Sequence, residues 1–331
     1  MKFIYLSDSH IKGKNPENRI GDYYKDVMSK IAEIVDLSEK YKVDYVFHGG
    51  DVFNSPYVSN IIIDEFIDLI ESAKIHWHII RGNHDEIGNN PLLSQSSSLD
   101  HVFRRSKYIH HLDYLNCTDK YNNCTDKYNK LREFVQGFDY YHGIETDIKE
   151  KGLIYKNEDI NIKKIAIVHA FLTPKPFLSH VLHVQLKDII CSFDYVLCSH
   201  LHLDWGKLKV GKTTYINLGA IGRQGIDEVN KQPKILLVDT KKDTCDIIKL
   251  KSAKKGIEVF DIEKLEKMKS HEENIDKFVQ GLTDLKLKSL DIRGKIEEIA
   301  RLKNIDKVII DLAIKKVSQF EEEKNGLQKG N

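Results

Sequence analysis

Five short polar clusters, each following an apolar run, constrain this chain more than any other feature. They are Asp8-Ser9-His10, Gly50-Asp51, Gly82-Asn83-His84-Asp85, His169, and His200-Leu201-His202. The runs before them are Lys2 to Ser7, Val43 to His48, Ile75 to Ile80, Lys164 to Val168 and Asp194 to Cys198. Their length and near-continuous apolar character are those of buried strands. Between the first three, Val27, Ile31, Ile34, Val35 and Ser38 repeat at helical spacing, and so do Ile62, Phe66, Leu69, Ile70 and Ala73. Alternating strands and helices predict an α/β fold, and in such sheets ligands gather beyond the carboxyl ends of the strands.

The clusters supply the carboxylates of Asp8 and Asp51, the amide oxygen of Asn83, and the imidazoles of His10, His84, His169, His200 and His202. A mixed oxygen and nitrogen set suits Mn²⁺, Fe or Zn²⁺ better than Ca²⁺ or Mg²⁺. Alternate residues of an extended segment project the same way, so Asp8/His10 and His200/His202 can each aim two ligands at one place. Two cations about 3.5 to 4 Å apart need a bridging carboxylate, and Asp51 is the natural bridge. Two aspartates against two divalent ions leave a net positive hole, suited to a phosphodiester.

This ordered set resembles the calcineurin-like metallophosphoesterase superfamily over roughly residues 1 to 250. The resemblance implies a four-layer αββα sandwich with a dinuclear centre at the strand ends. It implies that Asp8, His10, Asp51 and His202 hold one metal, and Asp51, Asn83, His169 and His200 the other. His84 would act on the scissile phosphate or protonate the leaving oxygen without being a ligand. Within the superfamily, His48-Gly49-Gly50-Asp51-Val52-Phe53-Asn54-Ser55-Pro56 resembles the DNA double-strand-break repair nucleases, the SbcD-like branch. So does Ile216-Asn217-Leu218-Gly219-Ala220-Ile221-Gly222-Arg223. Departures from that branch are Leu218 for the usual Pro, Ser199 for the usual Gly, Ala170 after His169, and Asn54 where several relatives carry His.

What the branch implies is a Mn²⁺-dependent DNA exonuclease or endonuclease, the catalytic subunit of an SbcCD-type recombination and repair complex. Its partners would be DNA, an SbcC-like coiled-coil ATPase and, in a homodimer, a second copy of the chain. A phosphomonoesterase or small-molecule phosphodiesterase would use the same ligands and is the alternative. A non-enzymatic scaffold fits poorly, because such relatives usually lose ligands and every position is filled here.

Lys+Arg total 51 against 50 Asp+Glu, a net charge of +1, which excludes a globally basic nucleic-acid binder and leaves room for a metal-centred site. Only eight of those basic residues are Arg, a bias of AT-rich genomes, whether bacterial, phage or protozoan. Five cysteines do not suggest a secreted disulfide framework, no apolar run reaches membrane-spanning length, and the start turns acidic too soon for a signal peptide. A cytoplasmic location, in a bacterium or phage-infected cell, is therefore expected.

Thr213 to Leu218, Lys234 to Asp239 and Thr244 to Leu250 read as a β meander. A tandem heptapeptide, Asn-Cys-Thr-Asp-Lys-Tyr-Asn at 116–122 and 123–129, reads as a duplication in a surface loop. Arg104, Arg105 and Lys107 read as a solvated helix end rather than a DNA contact. Past Lys251 the chain becomes dense in Lys and Glu. Residues 1–250 are thus expected to form the nuclease domain and 251–331 a small α+β capping and partner-binding region, with a strand over 285–292 and a helix through Ile309, Ala313, Val317 and Phe320.

Overall fold

Strand β1 (Lys2–Leu6) shows why its sequence is apolar throughout. Phe3 and Tyr5 point to one face and Ile4 and Leu6 to the other, and all four are buried. A computed structural model of the chain describes residues 1–88, 91–112, 135–155, 163–178, 181–264, 310–311 and 314–315. After β1 come α1 (Tyr23–Lys40), β2 (Tyr45–His48), α2 (Asn60–Glu71), β3 (His76–Ile79), α3 (Ser98–Arg105) and β4 (Ile109–His111). Then follow β5 (Val135–Phe138), α4 (Ile144–Lys151), β6 (Ile165–His169), a short pair β7 (Leu172–Thr173) and β8 (Val184–Gln185), and β9 (Tyr195–Ser199). The described order closes with β10 (Gly206–Val210), β11 (Thr213–Asn217), β12 (Lys234–Asp239), β13 (Thr244–Lys249) and α5 (Gly256–Val259).

Among the described residues two large sheets form, in the orders β13-β12-β1-β2-β3-β4 and β10-β11-β9-β6-β5, beside the two-stranded β7-β8. Strands β1 to β4 run parallel, as do β5, β6, β9 and β11. Phe3, Tyr5 and Phe47 of the first sheet meet Ile167, Leu197 and Ile216 of the second between the layers. The opposite face of the first sheet, with Ile4, Val46, Trp77 and Ile79, is covered by Val27, Ile31, Ile34, Ile63, Phe66 and Ile70 of α1 and α2. Ile144 and Ile148 of α4 cover Val168 and Val196 on the outer face of the second. This is the expected four-layer αββα sandwich.

Helix α1 starts where the Asp22 side chain accepts the Lys25 amide at 3.0 Å. It ends at Tyr41 and Lys42, the latter with φ +50°. The expected helical positions of α1 are all buried. In α2, Ile63 and Ile67 are buried, whereas Leu69 is only partly covered and Ala73 lies beyond the helix end.

The meander is corrected. Strand β12 pairs antiparallel with β1 and β13, whereas β11 belongs to the other sheet beside β9 and β10. Ile216 and Leu236 meet face to face across the sandwich instead of edge to edge. The basic trio at the end of α3 is largely committed: Arg104 pairs with Asp100, and Arg105 with Asp64.

Two compact units divide between Phe260 and Asp261. Residues 251–260 therefore belong to the first unit, where the Ile20 amide donates to the Val259 carbonyl at 3.0 Å and Phe260 is buried. In the second unit residues 310–311 and 314–315 are helical. The heptapeptide, the 285–292 strand and the residues Ile309, Ala313, Val317 and Phe320 lie outside the described residues. Among the described residues no helix is long and apolar enough to cross a membrane.

Candidate metal centre

Parallel strands deliver their carboxyl ends to the same edge, and all five polar clusters sit there. Asp8 and His10 follow β1, Asp51 follows β2, and Asn83 and His84 follow β3. His169 is the last residue of β6, and His200 and His202 follow β9. Hydrogen bonds stitch the two sheets together at this edge. The Tyr5 hydroxyl donates to the Cys198 carbonyl at 2.9 Å, and His169 Nδ1 donates to the Gly49 carbonyl at 2.7 Å.

The loops that carry these side chains are tightly bent. Asp8, His10, Asp51 and His200 have φ of 53°, 46°, 51° and 74°, left-handed values that non-glycine residues rarely adopt. Such conformations cluster at functional sites, where surrounding contacts hold them. Gly50 (φ +93°) has no room for a side chain: a Cβ there would stand 2.6 Å from His169 Nδ1. At Gly82 a Cβ would overlap Asp51.

All seven expected ligands and His84 converge. Nε2 of His10 and Nε2 of His202 are 2.9 Å apart, and His202 Nε2 is 4.0 Å from Asp8 Oδ1. Asn83 Oδ1 lies 3.1 Å from His169 Nε2 and 2.9 Å from His200 Nδ1, and these two ring nitrogens are 3.2 Å from each other. Between the groups, Asp51 Oδ2 lies 3.6 Å from His10 Nε2 and 3.5 Å from His169 Nε2. Asp8/His10/His202, His10/Asp51/His84 and Asp51/His169/His200 each gather three ligating atoms within reach of one ion.

The donor set fits cations. Asp8 Oδ2 is buried with no hydrogen-bond partner. Burial pushes the imidazoles of His10 and His200 down to about 3, so at neutral pH each keeps a lone pair. Because His169 Nδ1 carries the proton it gives to Gly49, its Nε2 is the atom turned toward Asp51. Burial pushes the Asp51 carboxyl up, but His169 and then His10 outweigh it and hold Asp51 well below the usual carboxylate range.

His84 is held at two points. Its amide donates to Asp51 Oδ1 at 2.8 Å and its Nδ1 to the Asn54 carbonyl at 2.9 Å. Nε2 is left for the site, and the ring meets His10 edge-on at 4.8 Å. Residues beyond the sequence-derived set also belong here. Tyr140 stacks on His200 with centroids 5.7 Å apart. It follows β5, so the strand-end rule applied to that strand would have found it. Asp85 accepts the Gly82 amide at 2.9 Å and the Phe53 amide at 3.4 Å, fixing the turn that carries Asn83. His48 accepts the Gly50 amide at its Nδ1, 3.2 Å away, and shares a 2.6 Å hydrogen bond with the Ser9 hydroxyl. Tyr215 packs in the core behind the second sheet, with Trp205 against it.

Residues 1–204 match the family described as calcineurin-like phosphoesterase. The chain belongs to that family. This calcineurin-like phosphoesterase is similar to the DNA double-strand break repair protein Mre11 of Methanococcus maripaludis, 23% identical over 255 residues, covering 71% of this chain and 60% of that protein. It is also similar to the protein of the same name from Sulfurisphaera tokodaii, 23% identical over 217 residues, covering 62% of this chain and 52% of that protein. The phosphoesterase thus spans between about half and three-fifths of these relatives. A solved structure from Thermus thermophilus superposes with a TM-score of 0.41 at 9% identity, covering 76% of this chain and 99% of the other.

Proposed function

We propose that this phosphoesterase is a Mn²⁺-dependent DNA nuclease and the catalytic subunit of an SbcCD-type recombination and repair complex. The observation that carries the metal reading is the position of Asp51 Oδ2, almost equidistant from His10 Nε2 and His169 Nε2. In this reading Asp8, His10, Asp51 and His202 hold one ion, and Asp51, Asn83, His169 and His200 hold the other. Bound there, two divalent ions would supply an activated water and neutralise charge on the phosphorus. Similarity to two proteins named for DNA double-strand break repair supports DNA as the substrate.

The chain's own residues do the rest. With Nδ1–H held by the Asn54 carbonyl, His84 presents Nε2 to the leaving oxygen; in the imidazolium form it donates the Nε2 proton and is left as the neutral Nδ1–H ring. The tight bends at Asp8, Asp51 and His200 fix the donors before substrate arrives. Residues 261–331 supply the capping region and the contact with an SbcC-like coiled-coil ATPase, and a second copy of the chain completes the assembly.

Purified protein tested with Mn²⁺ on labelled linear DNA and on p-nitrophenyl phosphate decides the substrate class. Mn²⁺-dependent release of nucleotides or oligonucleotides is expected. Hydrolysis of p-nitrophenyl phosphate with intact DNA would select the phosphomonoesterase alternative.

A further inference from the structure

Glu228 lies in the loop between β11 and β12, buried to 2% exposure. One of its carboxylate oxygens, Oε2, accepts the backbone amides of Gln224 at 2.7 Å and Gly225 at 2.9 Å. Two amide donors on one oxygen fix the orientation of the whole carboxylate. The other oxygen, Oε1, is turned inward and has no short hydrogen bond. It faces His202 Nδ1 at 3.5 Å and Lys231 Nζ at 3.6 Å.

His202 is the most exposed member of the first ligand group: its side chain is 31% exposed, against 1% for that of His10. Its neighbour His10 is anchored through its own backbone, whose amide donates to the Asp51 carbonyl and whose carbonyl accepts the Tyr23 hydroxyl at 3.1 Å. The Asn217 side chain donates to the Leu201 carbonyl at 2.9 Å, which fixes the backbone before His202 but not its ring. Glu228 is the group placed to do that. A carboxylate at Nδ1 holds the proton on that nitrogen and leaves the Nε2 lone pair free, the arrangement in which a metal-bound histidine is oriented by an outer partner.

We propose that Glu228 is a positioning residue for His202: its pinned carboxylate accepts Nδ1–H and presents Nε2 to the ion shared with His10 and Asp8. This rests on the metal reading above. The loop adds a mechanical consequence. The same loop donates the Ile221 amide to the Ser7 carbonyl at 3.1 Å and the Gly222 amide to the Asp8 carbonyl at 3.0 Å. The β1 ligands and the orienting carboxylate are therefore carried by one bonded unit.

The test is a calorimetric Mn²⁺ titration of wild type, Glu228→Gln, His202→Ala and the double variant. A glutamine keeps an oxygen for the two amides but puts an N–H₂ group against His202, favouring the wrong tautomer. With two ions bound by wild type, Glu228→Gln should weaken one of them about 10- to 100-fold and leave the other unchanged. In the His202→Ala background it should add nothing, because the ring it orients is gone. The ¹⁵N signals of His202 in the metal-free protein, recorded above its titration, should shift from the Nδ1–H form toward Nε2–H. Should Glu228→Gln fold poorly, Glu228→Asp keeps the charge but withdraws it by one methylene, and the same loss confined to one ion is expected. Equal weakening of both ions, or a further loss in the His202→Ala background, would make Glu228 a general structural cap and overturn the inference alone. A wild type that binds no second ion overturns the metal reading and this inference with it.

Discussion

The backbone amide of His84 donates to Asp51 Oδ1 at 2.8 Å, which turns Oδ2 of the same carboxylate toward both ligand groups. Asp51→Asn removes the one negative charge common to both and puts an amide N–H₂ at one of the two oxygen positions. Bound Mn²⁺ should fall from two ions to at most one per chain, and Mn²⁺-dependent hydrolysis should fall to background. Metal analysis and activity are read on the same sample. Two ions and full turnover in the variant would remove Asp51 from the bridge.

His84→Ala separates proton donation from ion binding. The ring is held through Nδ1 by the Asn54 carbonyl, so Nε2 is the free atom at the site. Loss of a general acid lowers the rate by about 10² to 10⁴. That fall is expected with both ions retained. Since His84 also lies within ligand distance of His10 and Asp51, loss of an ion in this variant would instead make it a ligand.

Proton and metal compete at His169. Burial pushes its imidazole down, but Asp51 beside it more than compensates and raises it to about 9. A histidine raised above its unfolded value of about 6.5 stabilises the fold fully below that pH and loses the contribution as pH climbs through 9. Asp85, pushed up to about 7 by burial and by the charge of Asp51, acts in the same direction until it ionises. Lys30, pushed down to about 8 by burial, acts the opposite way above that pH. His10 and His200, pushed down to about 3 by burial, also act the opposite way until the unfolded chain loses its own histidine protons near pH 7, so between about pH 7 and 8 the chelator-treated protein should melt at progressively lower temperature. Over the same window Mn²⁺ should bind more tightly, approaching about tenfold per pH unit, because it displaces the His169 proton. Parallel rather than opposed slopes would refute the competition.

The site was legible because each ligand follows a strand buried on both faces. An unbroken apolar run ending in Asp, Asn or His marks such a strand end without any knowledge of tertiary structure. Glu228 carries no such mark. It sits in a polar loop beside Asp227, 26 positions after His202, and only the return of that loop onto Ser7 and Asp8 brings it to the metal edge. The false meander has a related cause. The apolar character of β11 and β12 is the same whether the strands pair edge to edge or oppose each other across a sandwich. Composition changes at Lys251, yet the first unit runs on to Phe260, because Val259 and Phe260 still bury within that unit.

A buried charge cluster braces the same edge. Asp26 Oδ2 lies 2.7 Å from Arg19 Nη2 and 3.1 Å from Lys30 Nζ, with all three side chains buried. Lys30 also donates to the Ile221 carbonyl at 3.1 Å, in the loop that returns to Ser7 and Asp8. Asp26→Ala strands two buried cations, a loss of about 3 to 5 kcal/mol. Lys25→Ala breaks only the exposed pair with Asp22 and should change stability by about 0 to 1 kcal/mol. Urea unfolding of both variants checks the contrast, and equal midpoints would show that the buried cluster contributes nothing.

Truncation after Phe260 and truncation after Leu250 should behave differently. Arg223 Nη2 donates to the Lys254 carbonyl at 2.6 Å, and the Ser252 amide donates to Glu33 at 2.7 Å. The Arg19 guanidinium lies over the Phe260 ring, 5.1 Å from its centroid. A chain ending at Leu250 exposes the surface that Val259 and Phe260 cover, worth about 1.5 to 3 kcal/mol for one large apolar side chain. It also leaves a buried Arg223 donor unsatisfied, a further loss of about 1 to 3 kcal/mol. Residues 1–260 should therefore unfold cooperatively and bind two Mn²⁺ ions, whereas residues 1–250 should be less stable by several kcal/mol. If residues 261–331 carry the ATPase contact, the 1–260 protein should hydrolyse a small phosphodiester as the full chain does, yet fail to recover the ATPase in co-purification. Equal recovery with both proteins would place the contact within the first 260 residues.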